Sequence, residues 1–170
     1  MSSVENRKLD FYYQYKKSFK FEQYLDTLPL HIRKYTTKIR TSSHIFPIET
    51  LRYKKPKIEA HDRKCNICAN DEVGDEHHYL LKCTNNNLTK IRDTFLNDIR
   101  LTVPIFEGFD NDCIIRYCLL MHDQRTLTGM ANYIKTIYTT YKEEIEPTKT
   151  TTPMTTRSGR TIKKPNKLDL

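Results

Sequence analysis

The sequence predicts a small, mostly α-helical domain with one metal-binding turn or short hairpin and a disordered basic C-terminal tail. Three observations carry this. Apolar residues recur at helical spacing through most of 88–145. Cysteines and histidines gather as Cys65-Asn66-Ile67-Cys68, His77-His78 and Cys83. Beyond Pro147 the chain turns to threonine, proline and basic residues with no apolar period. The 170 residues suffice for one compact domain plus tails. The divisions are an aromatic and basic segment at 1–18, a helical domain at 19–146 holding the cysteine–histidine module at 61–84, and the tail at 147–170.

The N-terminal segment carries Phe11-Tyr12-Tyr13-Gln14-Tyr15-Lys16-Lys17. After it, Phe21, Tyr24, Leu25 and Leu28 fall at helical spacing, which reads as an amphipathic helix stopped by Pro29. The competing reading of these aromatics is stacking on nucleic-acid bases, which requires them exposed beside cations. A further helix is predicted over 30–41. Leu30, Tyr35 and Ile39 would face inward, and Arg33, Lys34, Lys38 and Arg40 outward. Pro47 forces extended chain, so 48–53 reads as a strand, with a short hairpin expected near 45–68. Lys54-Lys55-Pro56-Lys57 is a basic turn.

The cluster has the spacing Cys-x2-Cys-x9-His-x4-Cys if His78 is the third ligand, with His77 as its rival. Three thiolates and one imidazole complete a tetrahedral zinc shell and leave no position for water, which marks a structural metal. Residues 75–83 read as a short helix with Asp75 or Glu76 near its positive end. A histidine and a cysteine five residues apart on an α-helix do not share a face, so that helix should end just before Cys83. Residues 88–101 form the next helical stripe, through Leu88, Ile91, Phe95, Ile99 and Leu101. Pro104 breaks it, and Gly108 with Asp110 marks a turn and a new start. Helices are then expected over 111–122 and 127–145, in a total of roughly five or six. Cys113 and Cys118 lie in the first of these and read as core residues. His122 reads as structural.

The net charge is +8, from 29 basic and 21 acidic residues, and it favours polyanionic partners. Five cysteines, an odd number, fit thiol or zinc-bound cysteines better than a disulfide scaffold. No apolar run approaches the roughly 18 residues of a membrane span, and the polar start is unlike a signal peptide. An intracellular place, nuclear or cytoplasmic, is therefore expected. Between 147 and 170, six lysines and arginines stand against one aspartate, in a segment too poor in apolar residues to offset its ordering entropy.

Taken in order, four stretches form a familiar arrangement. They are Lys38-Ile39-Arg40-Thr41-Ser42-Ser43-His44, Ile48-Glu49-Thr50-Leu51-Arg52-Tyr53, Arg63-Lys64-Cys65 with Cys68, and Asp75-Glu76-His77-His78-Tyr79-Leu80-Leu81-Lys82-Cys83. The arrangement resembles the region C-terminal to the polymerase domain in reverse transcriptases of non-LTR retrotransposons. Arg92 fits the basic position that follows the last cysteine there, and 112–141 resembles the final helices. The likeness spans about residues 20–145. It implies Cys65, Cys68, His78 and Cys83 as the ligands of one structural zinc, with His77 at a position usually aromatic. Leu51 departs from the usual glycine before Arg52. The resemblance also implies a role at template RNA or target DNA.

The sequence holds no Tyr-x-Asp-Asp and no adjacent aspartate pair, so the two-metal chemistry of a polymerase palm is not expected, nor is an enzyme. The expectation is a non-catalytic, zinc-stabilised nucleic-acid-binding module. Arg40, Arg52, Lys54, Lys55, Lys57, Arg63 and Lys64 are its candidate phosphate contacts. The alternative is a protein–protein interaction domain with a purely structural zinc.

Overall fold

A computed structural model describes residues 8–16, 18 and 20–146. The expected basic tail and the first seven residues lie outside the described residues. Within them the fold is helical, and one antiparallel pairing, Lys64 with Val73, is the whole of the β-structure.

Helix α7, Gln124–Ile145, is the spine. Its inner face buries Leu127, Met130, Ala131, Tyr133, Ile134, Ile137, Tyr138 and Tyr141. Full burial of a large apolar side chain contributes about 1.5–3 kcal/mol, so this face decides where the helix sits. It packs along α5, Asn86–Thr102, and α3, Leu30–Arg40. Phe95 of α5 stacks on Tyr133 at 4.5 Å between ring centroids, and Tyr35 of α3 meets Tyr138 edge-on at 5.1 Å. Helix α6, Asn111–Leu119, closes the bundle. Side-chain caps start the three later helices. Asn85 accepts from the Asn87 and Leu88 amides, Asp110 from Cys113, and Asp123 from Arg125. Such caps are worth about 1 kcal/mol each. Pro104 ends α5 as predicted, and Gly108 takes the left-handed φ of +85° that the turn into α6 requires.

Several local expectations are corrected. Only Tyr24–Thr27 (α2) of the described residues 20–28 is helical, and Phe21 is exposed while Tyr24 and Leu28 are buried. A separate helix, α1, Asp10–Tyr15, buries Phe11 and Tyr15, so two of the aromatics near the N-terminus are core residues. In α3 the inward residues are Ile32, Thr36, Ile39 and Arg40, and Leu30 points out from the first turn after Pro29. The predicted strand at 48–53 is one helical turn, α4, Pro47–Thr50, followed by a turn. Proline at the first helical position suits a helix start, and Phe46 O accepts from both the Glu49 and Thr50 amides. Leu101 lies outward. Helix α6 stops at Leu119, before His122, and Cys118 is buried as expected whereas Cys113 is exposed. No helix among the described residues is long and apolar enough to cross a membrane.

Candidate metal centre

A narrow ribbon carries the first two cysteines. The Cys65 amide donates to Glu72 O at 2.8 Å and the Gly74 amide to Arg63 O at 2.9 Å, around the pairing of Lys64 with Val73. The intervening turn presents Cys68. Gly74 lies flush on Pro47, where any Cβ would come within 2.9 Å of the proline ring, and its carbonyl accepts from the Ile48 amide.

Asp75 then starts the second half of the site, its carboxylate accepting from the His78 amide at 2.7 Å. The helical turn that follows widens into a π-turn, His78–Lys82, closed by the Cys83 amide donating to His78 O at 2.7 Å. On an α-helix, residues five apart diverge by about 140°. The i to i+5 bond of a π-turn brings them back toward one face. This local geometry makes a His-x4-Cys pair usable.

The result gathers Cys65, Cys68, His78 and Cys83, whose ligand atoms all lie within 4.8 Å of one another. Cys65 Sγ and Cys83 Sγ are 3.9 Å apart, and Cys68 Sγ and His78 Nε2 are 3.4 Å apart. With metal–sulfur bonds of 2.3 Å and metal–nitrogen bonds near 2.0 Å, a tetrahedron has edges of about 3.8 and about 3.5 Å. The four donors are therefore close enough to hold a metal ion, and the Cys65–Cys83 and Cys68–His78 edges suit tetrahedral coordination. His77 turns the other way. Its Nε2 meets Gln14 Oε1 at 2.6 Å, and its ring lies against Phe11.

Electrostatics favour ligation. The contact between the two sulfurs holds the Cys65 thiol below its ordinary range and pushes Cys83 up. Burial opposes a charged His78, but hydrogen bonds with Cys65 and Glu72 prevail and lift it to about 9. Metal entry would displace protons from the thiols and from His78. His78 Nδ1 meets Glu72 Oε2 at 2.8 Å, the carboxylate–histidine pairing that orients imidazole ligands.

The centre is tied to the helices by polar links. Asn66, between the two ribbon cysteines, accepts from the hydroxyls of Tyr79 and Tyr141 at 3.1 Å each. Arg92 of α5 donates to Leu80 O and Cys83 O at 3.3 and 3.1 Å, and Tyr133 donates to Leu80 O as well. Phe46 stacks on Tyr79 at 4.3 Å behind the ligands. Ser42 and His44 both bond Glu76 Oε1, at 2.8 and 2.7 Å. His44 Nδ1 accepts from the Phe46 amide, so its Nε2 carries the proton toward Glu76. The Ser42 hydroxyl engages the carboxylate and not the imidazole, so this buried trio braces the chain and makes no nucleophile–base pair.

The seven basic candidates separate. Arg40 is 1% exposed: it donates to Leu119 O at 2.9 Å, pairs with Glu22 at 2.8 Å and lies near the Tyr12 and Tyr24 rings. Arg63 is 4% exposed and donates to Ile48 O at 3.0 Å and to Ile58 O at 3.1 and 2.9 Å. Neither can reach a phosphate. A buried guanidinium must satisfy its donors internally, and its fork does so on several carbonyls at once. Arg52 is half-buried on Glu49 at 2.6 Å. Lys64 bonds Asp71 O at 2.8 Å. Lys54, Lys55 and Lys57 are exposed. Glu72 and Asn66 carry no signal in the sequence beyond lying within the cluster. Set against family models, curated proteins and solved structures, the chain matches none.

Proposed function

We propose that this chain is a non-catalytic nucleic-acid-binding module built around one structural zinc ion, a role similar to that of the C-terminal region of non-LTR retrotransposon reverse transcriptases. The observation that carries it is the donor set of Cys65, Cys68, His78 and Cys83, all within 4.8 Å of one another, with two of its edges at tetrahedral length. Four protein ligands leave no position for water or substrate, and three thiolates with one imidazole suit zinc. Zinc supplies an apparent folding term of order 10 kcal/mol in such modules. The net charge of +8 and the exposed Lys54, Lys55 and Lys57 supply the attraction to phosphates, in an intracellular, reducing setting.

The test has two parts. Elemental analysis of the purified protein should find about one zinc per chain, lost in Cys68→Ser and His78→Ala and kept in His77→Ala. Anisotropy titrations with labelled RNA and DNA should then show affinity falling steeply with salt. Affinity that is flat between low and moderate salt removes the nucleic-acid reading. A second reading, a protein-interaction domain, is favoured by the exposed Leu101, Ile105 and Phe109 around the end of α5. It predicts that aspartate substitution at those apolar positions abolishes partner binding, while charge reversal at the lysines does not.

A further inference from the structure

Residues 52–57 read Arg-Tyr-Lys-Lys-Pro-Lys, four cations and one aromatic with no acid among them. Tyr53 is 69% exposed, although a ring of that size normally finds cover. Lys54, Lys55 and Lys57 are exposed beside it; Lys57 meets the exposed Glu59 at 3.1 Å, and among the described residues no ion pair engages Lys54 or Lys55. A lone surface tyrosine needs no explanation. A tyrosine within four residues of three solvent-facing lysines is the combination that a single strand recognises: a ring for the base and cations for the flanking phosphates.

The base of this loop is built, and that separates it from a solvated charge run. The buried Arg63 guanidinium holds Ile48 O with one nitrogen and Ile58 O with two others. One side chain therefore closes the chain on either side of 52–57. Arg63 also belongs to the ribbon of the metal centre, where its carbonyl accepts from Gly74, and it stands two residues before Cys65. Ile48 is joined to the same ribbon through its amide on Gly74 O. Arg52 is fixed by Glu49 at the entry to the loop. The tip is presented to solvent while its two ends are bound to the part of the fold that the metal orders.

We infer that residues 52–57 are a recognition loop for single-stranded nucleic acid. Tyr53 stacks on an unpaired base, Lys54, Lys55 and Lys57 contact the adjoining phosphates, and the Arg63 clamp couples the loop to the metal centre. The inference rests on the nucleic-acid reading above. A duplex offers its phosphates to the lysines but hides its base faces from Tyr53, so single strands bind more tightly.

The experiment uses the full zinc-loaded chain, a fluorescein-labelled oligothymidylate of about 15 nucleotides and a duplex of equal length. Tyr53→Ala should weaken single-strand binding about tenfold or more, while Tyr53→Phe holds it. The double variant Lys54→Gln, Lys55→Gln should lower the salt slope by about 1.4. Both sites are exposed, so helical circular dichroism should not change. Equal affinity of Tyr53→Ala and wild type for the single strand, or a duplex bound as tightly as the single strand, overturns stacking. Wild-type binding that neither variant alters places the nucleic acid elsewhere, and the loop assignment falls while the module reading stands. If the wild type binds neither probe, both readings fall.

Discussion

Between residues 60 and 74 only Arg63 and Gly74 are buried, and the apolar Ile67 and Val73 are half-covered. Along α7, by contrast, side chain after side chain from Leu127 to Tyr141 is removed from water. The two regions share the Tyr141 contact with Asn66, yet different forces hold them. The helix pair has enough apolar area to set its own geometry. The ribbon has a few polar ties and two of the four candidate donors, Cys65 and Cys68. A metal can thus replace a core where the chain is too short and too polar to make one.

The largest effect should come from withholding the proposed zinc. With a zinc chelator, amides in the ribbon and π-turn should lose hydrogen-exchange protection, while those of α5 and α7 keep it. The loss is large because the ion's apparent contribution in small modules is about 10 kcal/mol or more. Uniform loss across both regions would make them one cooperative unit. Next comes Leu127→Ala, a fully buried truncation in α7. It should cost about 2–5 kcal/mol by thermal or urea unfolding and leave zinc content unchanged at low temperature.

Glu76 sharpens the comparison through pH. Burial pushes its carboxyl up, but the hydrogen bonds from His44 and Ser42 prevail and hold it below the ordinary range. A depressed folded value stabilises above the unfolded value of about 4.3, and the contribution disappears as pH falls through the lower folded value. Glu76→Gln should cost about 1–3 kcal/mol at neutral pH, and less as the pH drops below about 4.3. A penalty independent of pH in urea titrations would mean that the ionised carboxylate is not what braces the site. The smallest effect belongs to Tyr141→Phe. It deletes one hydroxyl on Asn66 and should cost about 0.5–1.5 kcal/mol, read as faster exchange in the ribbon with α7 unaffected.

The legible parts were local. Helices α3, α5 and α7 follow apolar periodicity, with Pro29 before the first and Pro104 after the second, and they emerge within a few residues of expectation. The π-turn was foreshadowed by the poor fit of His78 and Cys83 to one α-helical face. The misreadings were of side chains whose partners lie far along the chain. Arg40 looked solvated because its partner, Leu119 O, is 79 residues away. Residues 48–53 read as a strand because a proline forces extended chain before it, yet Pro47 begins a helical turn against Gly74.

By itself the sequence determined the donor types and their spacing, the run of helices and the excess of positive charge. These depend on residue identity and on neighbours within a turn or two. Packing of the whole chain settles that His78 and not His77 joins the three cysteines, that Arg40 and Arg63 are internal braces, and that Lys54, Lys55 and Lys57 are the phosphate-contact candidates left exposed. Each of those outcomes turns on which carbonyls and carboxylates are buried within reach of a given side chain, and burial is a property of the packed chain.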